Sequence, residues 1–199
     1  IFHPRIYQDS KDSYLPKAQA KAKGIKGEMH IFLQLNRRLT DEQMQEIAAD
    51  LHEIIRDVAL ATRDWSKIKA KLSEAKNSLT TLKGQDERLF EEYKNFLQYI
   101  HDDNFTMLGY REYDVKKSSL VLKPGSALGL CDAERRSDFI TPEDAQKFVL
   151  NLDARKDFPQ VFVTKLLRAS DVHRRVPMDA VVVRRFDANG QLVGELHFY

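Results

Sequence analysis

Three observations predict an α+β fold for this chain. Short β-type runs stand near its start, a long apolar repeat of helical period occupies its middle, and strand–turn–strand patterns fill its last fifty residues. The 199 residues are enough to bury a core, and 42% apolar with 31% charged residues is ordinary for a globular protein. A stretch of membrane-spanning length and a signal peptide are both absent from the sequence.

The first predicted element is a β-hairpin. The runs IFHPRIY (1–7) and MHIFLQL (29–35) have strand character. The polar stretch between them contains Pro16, Gly24, Gly27 and several lysines, and it is predicted to be a mobile, partly disordered loop. A solvated loop is favoured over a nucleic-acid contact, because these lysines lack interleaved aromatic residues and the net charge is only +2.

A long helix, or a pair of helices, is predicted over residues 40–83. Thr40 and Gln43 form a capping-box pattern at its start. The apolar positions that follow are spaced alternately three and four residues apart, as in a heptad seam: Met44, Ile47, Leu51, Ile54, Val58, Ala61, Trp65, Ile68, Leu72, Ala75, Leu79 and Leu82. Asp64 has the residue type of a helix cap, which predicts a kink or break there.

The two halves of this seam differ in their flanking residues. Ala48 and Ile55 widen the apolar stripe of the first half, which predicts a helix that covers a sheet. Lys69, Lys76 and Lys83 flank the second half and leave a narrow seam, which favours one partner helix and a connector role. A free-standing coiled coil is the alternative reading of the whole repeat.

The rest of the chain is predicted to be an antiparallel sheet with short helices. Asp86 can cap a further helix, and Thr141-Pro142 marks the start of another that ends near Asn151. The strand patterns, with a hairpin turn at DANG (187–190), are FTMLGYREYDV, SSLVLKPGSALGL, QVFVTKLL, RVPMDAVVVRRF and QLVGELHFY.

One stretch between two of these strands, ASDVHRRVPMD (169–179), concentrates polar residues. Its guanidinium groups could bind a carboxylate or phosphate, and a serine beside a histidine could transfer a proton. The simpler interpretation is a solvated bend in which Asp171 or Asp179 pairs with the arginines. The candidate contact residues are Ser170, His173, Arg174, Arg175 and Asp179.

Other catalytic patterns do not fit. GSALGL (125–130) has the wrong spacing for a dinucleotide-binding loop, and the six histidines are scattered. His101, Asp102 and Asp103 are interpreted as a polar helix exit rather than a metal site, and the single Cys131 as a small buried or half-buried residue. The prediction is therefore that this chain contains no catalytic, metal or cofactor-binding residues, and a lone cysteine suits a reducing cytoplasm.

Three stretches carry a resemblance to a known family. They are FLQYIHDDNFTMLGYREYDV (96–115), ALGL (127–130) and residues 163–199, supported by His3-Pro4, GEMHI (27–31) and Asp64-Trp65. Together they resemble the N-terminal regulatory region of the large bacterial NAD-dependent glutamate dehydrogenases. The chain departs from the family pattern within ASDVHRRVPMD (169–179), where Arg175 and Val176 stand between His173-Arg174 and Pro177.

The resemblance implies a domain organisation. Residues 1–63 would be the C-terminal half of an ACT-like domain, two strands and a covering helix. Residues 64–85 would be a helical connector, and 86–199 a PAS-like domain truncated at its C-terminal end. Because the chain starts within a strand-like run and stops within another, it is expected to be a piece of a longer protein.

The implied function is a non-catalytic regulatory and assembly segment of a cytoplasmic, homo-oligomeric enzyme. That parent would oxidatively deaminate L-glutamate to 2-oxoglutarate and ammonium with NAD, using a downstream catalytic domain. An amino-acid effector is expected as a ligand, and neither nucleic acid nor a membrane as a partner. The alternative is a stand-alone small-molecule sensor or a coiled-coil interaction module.

Overall fold

The computed structural model describes residues 5–7, 14–25, 27–29, 34–82, 86–116, 119–132, 159–172 and 175–199. The chain divides into two compact units, Ile1–Ile47 and Ala48–Tyr199. The predicted helix from Thr141 to Asn151 lies outside the described residues. The domain boundaries at 63 and 85 remain predictions.

The first unit contains the predicted hairpin. Strand β1 (Arg5–Ile6) pairs antiparallel with β2 (Glu28–Met29). The connection, which is predicted to be a long, partly disordered loop, contains helix α1 (Lys17–Ala22). Alternate alanines favour this helix, and Gly24 follows it with a φ of 66°, a left-handed conformation that glycine adopts without strain after a helix.

Helix α2 (Asp41–Asn77) crosses from the first unit into the second without a break. Its predicted capping box is confirmed: the Gln43 backbone nitrogen donates to Thr40 Oγ1, and Gln43 Oε1 accepts from the Thr40 backbone. The predicted kink at Asp64 is wrong, since this residue lies inside the helix and its side chain is only 1% exposed. The helix also ends five residues before the last seam position, Leu82.

Burial along α2 differs from the prediction for its two halves. Ile68, Leu72 and Ala75, in the predicted connector, are fully buried in the main core. Met44 and Ile55, in the half predicted to cover a sheet, are 50% and 64% exposed. Flanking lysines do not prevent burial of the second half, because long side chains can extend past a core to reach polar partners at its edge.

Helix α3 (Glu87–Tyr99) is the partner helix that the narrow seam predicted. Its predicted cap is confirmed, since Asp86 accepts a hydrogen bond from the Arg88 backbone nitrogen at 2.9 Å. Buried Tyr93 and Leu97 join α2 in the core. The Lys76 ammonium reaches Gln98 Oε1 at 2.6 Å, so a predicted flanking lysine links the two helices.

A π-helical turn (Ile100–Asn104) ends α3. Asp103 has a φ of 67° there, a left-handed conformation that is uncommon for a residue with a side chain. Its carboxylate binds the Lys69 ammonium at 2.8 Å, while Asp102 accepts a hydrogen bond from Gln98 at 2.7 Å. Both acids are exposed and paired, in agreement with the interpretation of this stretch as a polar helix exit.

The second unit contains an antiparallel sheet. Its order is β4-β3-β8-β7-β6, with β5 also paired to β3. The strands, which confirm the predicted strand patterns, are β3 (Gly109–Lys116), β4 (Ser119–Leu122), β5 (Leu128–Gly129), β6 (Val161–Ser170), β7 (Val176–Phe186) and β8 (Leu192–Phe198). The predicted DANG turn joins β7 to β8, with Gly190 at a φ of 75°.

The sheet presents different residues to its two faces because side chains alternate along a strand. Tyr110, Phe198 and Val181 align across β3, β8 and β7 and belong to the core shared with α2 and α3. The residues adjacent to these in the sequence, including Arg111 and His197, point to the opposite face. That face carries a buried polar network.

Candidate functional site

The corner between β6 and β7 is held by a local serine turn. Ser170 is 5% exposed, and its hydroxyl both donates to the Val172 carbonyl at 2.9 Å and accepts from the Val172 backbone nitrogen at 3.0 Å. A serine that bonds the backbone two residues further on is a typical turn-forming device. Ser170 therefore shapes the corner.

The charged residues of the corner form surface ion pairs. Arg175 lies 3.4 Å from Asp171, which confirms one of the pairings expected for a solvated bend. Asp179 instead binds the Lys165 ammonium of β6 at 2.7 Å. Exposed pairs of this kind stabilise a fold by less than about 1 kcal/mol, so they can be exchanged for contacts to a ligand at low cost.

A cavity of about 240 Å³ lies against this corner. We call it the corner cavity; Ser170 and Asp179 line it together with Asn104, Thr106 and Tyr199. Apolar side chains, including Leu108 and Met178, complete its wall. The structure thus brings two of the five predicted contact residues to one cavity. Arg175 is outside its lining, and His173 and Arg174 lie outside the described residues.

Sequence reasoning missed a second group of polar residues, which we call the buried network. The register aligns Arg111 with His197 on β3 and β8, and Tyr113 with Glu195 on the same strands. Arg184 of β7 lies beside Glu195 on the next strand. All five side chains belong to residues that are at most 5% exposed.

His197 stands at the centre of the buried network. Its Nε2 lies 2.8 Å from a carboxylate oxygen of Glu195, and its Nδ1 lies 3.1 Å from the hydroxyl of Tyr199. The Tyr113 side chain hydrogen-bonds to Arg111 and to Tyr199, and the Arg184 guanidinium lies 4.0 Å from Glu195. A continuous chain of polar contacts therefore crosses three strands.

Burial controls the ionisation of the tyrosines in this network. Loss of hydration raises the pKa of Tyr113 and raises that of Tyr199 well above its ordinary value. Both hydroxyls consequently stay protonated at neutral pH and can donate hydrogen bonds. Buried polar networks of this kind help to fix one arrangement of a core.

A signal for this network is present in the sequence. Arg111 and Tyr113 are two residues apart, as are Glu195, His197 and Tyr199, so each set lies on one face of its strand. The strand patterns alone do not show that the two faces coincide, because β3 and β8 are about eighty residues apart in the chain.

Asp64 anchors α2 to the edge of the sheet. Its carboxylate is bound by Arg63, by Lys67 at 3.2 Å and by the backbone nitrogen of Gly129 at 3.1 Å. The hydrogen bond from Arg63 is the main reason why the pKa of Asp64 lies far below its ordinary value. Asp64 therefore stays ionised and holds β5 against the helix.

The stretch GSALGL (125–130) forms part of the same junction. Gly129 has a φ of 61°, and a Cβ there would lie 2.3 Å from the Leu108 carbonyl oxygen, so the close approach of the two segments requires glycine. Cys131 is fully buried beside it, as predicted. Within the described ranges, no three histidine, cysteine or acidic residues are grouped closely enough to hold a metal ion.

Comparison with known proteins supports the resemblance seen in the motifs. The NAD-specific glutamate dehydrogenase of Halomonas elongata is 27% identical to the chain over 179 residues, which cover 84% of this chain and 11% of that protein. The enzyme of the same name from Pseudomonas aeruginosa is 27% identical over 193 residues, which cover 92% and 12%. No protein-family model matches the chain.

These comparisons confirm the resemblance to NAD-specific glutamate dehydrogenases. The chain spans about one eighth or less of the length of the curated relatives that it matches. None of the helices that the structure describes is both long and apolar enough to cross a membrane.

Proposed function

We propose that this chain is a non-catalytic regulatory and assembly segment of an NAD-specific glutamate dehydrogenase. The similarity to two such enzymes over most of the chain supports the parent assignment. The parent would oxidatively deaminate L-glutamate with NAD in the cytoplasm, and the residues that bind NAD would lie downstream in its own catalytic domain. A homo-oligomeric parent is part of this proposal.

The corner cavity carries the regulatory role. Its lining combines apolar side chains with polar ones, and one of these, Asp179, binds Lys165 at 2.7 Å. An amino acid carries an ammonium and a carboxylate on one carbon, so it presents the complementary pair of charges. Its side chain would pack against Leu108 and Met178. Small-molecule sites commonly combine an apolar wall with a few such convergent polar groups.

The test uses the parent enzyme with Asp179→Asn. We expect its turnover without effector to stay near that of the wild type, while its response to an activating or inhibiting amino acid is lost. Asp171→Asn is the matched control, because this corner carboxylate is not part of the cavity lining. Loss of turnover in a folded, assembled Asp179→Asn enzyme would reject a purely regulatory role.

Calorimetry separates sensing from a purely architectural role. The 199-residue chain is titrated with each common amino acid, and saturable heat that disappears in Asp179→Asn supports sensing. If none of the amino acids gives heat, the sheet and the long helix act only in holding subunits together.

The fold supports the finer domain assignment as a proposal. A hairpin followed by a helix is the arrangement expected for part of an ACT-like domain in 1–63. An antiparallel sheet with small helices is the arrangement expected for a PAS-like domain in 86–199.

A second candidate is a coiled-coil interaction module. Its support is the stripe of apolar residues on the first half of α2 that stay 39–50% exposed at heptad spacing: Met44, Ile47, Leu51 and Val58. It predicts concentration-dependent dimers of the chain in sedimentation experiments, and these should be lost when Leu51 and Ile54 become glutamine. A chain that stays monomeric at every concentration rejects this candidate.

A further inference from the structure

The first part of α2 within the second unit is a helix without a buried face. From Ala48 to Arg56 every residue is exposed except Ile54, which is half-buried, and burial begins at Asp57. A helix in a protein gains most of its stability by packing one apolar face against a neighbour. This stretch is therefore expected to be covered by another element in the working protein.

Three exposed apolar side chains mark the face that a neighbour would cover. Leu51, Ile55 and Val58 are 40%, 64% and 41% exposed, and we call them the docking stripe. Their spacing of four and three residues places them on one side of the helix. A row of large, exposed apolar side chains is typical of a surface that binds another protein.

The docking stripe leads into a second cavity of about 240 Å³, which lies between α2 and the segment before β3. Val58 belongs to both the stripe and the cavity, and Ala61 and Trp65 continue the lining along α2. Residues 105–108 and Val172 form the facing wall, so the lining is mostly apolar. A row of apolar residues that ends in a pocket is the arrangement by which grooves bind the anchor side chains of an amphipathic helix.

Charge selects the kind of helix that fits this surface. From its start to Ile55, α2 contains no lysine or arginine and five acidic residues: Asp41, Glu42, Glu46, Asp50 and Glu53. This negative charge attracts a partner that carries lysine or arginine beside its apolar face. Pairing with the same stretch of a second copy, which the coiled-coil candidate requires, would bring two acidic helices together. An anionic membrane surface is disfavoured for the same reason.

We propose that the docking stripe binds a basic amphipathic helix of a partner protein. The apolar residues of the partner, spaced three and four positions apart, lie on Leu51 and Ile55, and one of them enters the cavity beside Val58. Its lysine or arginine side chains face the carboxylates of α2. This surface depends neither on the identity of the parent enzyme nor on the corner cavity, so it is independent of the proposed regulatory function.

The test measures the binding of a synthetic, fluorescently labelled peptide to the 199-residue chain by fluorescence anisotropy. The peptide is about three heptads long, with leucine at the a and d positions and lysine and alanine elsewhere. A twin peptide has glutamate in place of every lysine. We expect the basic peptide to bind saturably, with an affinity that falls as salt is added, and the acidic twin to bind at least about tenfold more weakly.

Two pairs of variants locate the bound peptide. Leu51→Gln should weaken binding at least about tenfold, whereas Leu89→Gln removes a side chain of nearly equal exposure, 39%, from α3 and should have no effect. Asp50→Asn should weaken binding several-fold, whereas Glu87→Gln removes an exposed carboxylate from α3 and should not. All four residues are exposed, so the variants are expected to fold, and circular dichroism checks this.

The proposal is overturned if the basic peptide does not bind saturably, or if both peptides bind equally well. It is also overturned if the two variants of either pair have equal affinities, because the peptide would then bind elsewhere. Sedimentation of the chain alone supplies a further test. Concentration-dependent dimers that are lost in Leu51→Gln would show that a second copy covers the docking stripe, and the proposal would be wrong.

Discussion

The carboxylate of Asp64, in the middle of α2, accepts a hydrogen bond from the backbone nitrogen of Gly129, sixty-five residues further along the chain. The same carboxylate is bound by Arg63 and Lys67. Arg63 also reaches Asp132 at 3.2 Å, so a second contact joins α2 to the segment after β5. This junction fixes the position of the helix against the edge of the sheet.

Asp64→Asn should lower the free energy of unfolding by about 2 kcal/mol, because it removes the charge from a buried, hydrogen-bonded group. Urea unfolding followed by circular dichroism measures the change. Asp50→Asn is the control, as it removes an exposed carboxylate from the same helix, and it should change stability by less than about 0.5 kcal/mol. Equal effects of the two variants would contradict the anchoring role.

The contacts of the Asp64 carboxylate also predict that the free energy of unfolding depends on pH. The pKa of Asp64 in the folded chain lies below its ordinary value, which is about 3.9 in an unfolded chain. Its contribution to stability is therefore complete above that unfolded value and is lost as the pH falls towards the folded one. Between about pH 5 and pH 3, unfolding free energies should fall less steeply for Asp64→Asn than for the wild type. Parallel curves would show that Asp64 is not responsible.

A pair of glycine substitutions separates backbone strain from a clash. Gly125 and Gly129 both have positive φ, but a Cβ at Gly125 meets nothing within 4 Å, whereas one at Gly129 lies 2.3 Å from the Leu108 carbonyl. Gly125→Ala should cost about 1 kcal/mol of stability from strain alone. Gly129→Ala should cost at least about 2 kcal/mol, and similar thermal midpoints for both would refute the close packing described for β5.

Replacing Glu195 tests the buried network. Glu195→Gln leaves Arg184 and His197 beside a neutral amide, so we expect a loss of about 3 kcal/mol in the free energy of unfolding. Glu92→Gln disrupts an exposed pair with Arg88 and should cost less than about 1 kcal/mol. Denaturant titrations of both variants make the comparison, and a small effect at Glu195 would count against a cooperative network.

The Cys131 thiol should be unreactive towards disulfide reagents in the folded chain. Burial raises the pKa of its thiol to about 12, and only the thiolate reacts with disulfide reagents. At pH 8, Ellman's reagent should label the native chain far more slowly than the urea-unfolded chain. Because there is only one cysteine in the sequence, the absorbance change reports this residue alone. Similar labelling rates in both states would contradict its burial.

The elements that could be predicted from the sequence are those with local causes. The capping pair Thr40–Gln43, the cap at Asp86 and the turn at 187–190 depend on residues at most four positions apart, and all three are present. The prediction for Asp64 is wrong because its stabilising contact is not local. Its backbone donor, Gly129, lies far away in sequence, so local propensity favoured a helix cap that the fold does not use.

For the candidate sites, too, only residues that are close together in the sequence could be predicted. Ser170 and Asp179 could be selected because they lie in one short polar stretch, and they line one cavity. The partners of His197 could not be selected, since the alignment of β3 with β8 depends on how the whole sheet is ordered. The exposed start of α2 was also unpredictable, because heptad spacing identifies an apolar stripe but not what covers it.

The corner cavity shares four lining residues with the second cavity of about 240 Å³, which lies between α2 and the segment that leads into β3: Phe105, Thr106, Leu108 and Val172. These residues form a common wall, so a displacement that enlarges one cavity also changes the shape of the other. A single substitution in this wall, at Leu108 for example, would therefore alter two separate spaces at once.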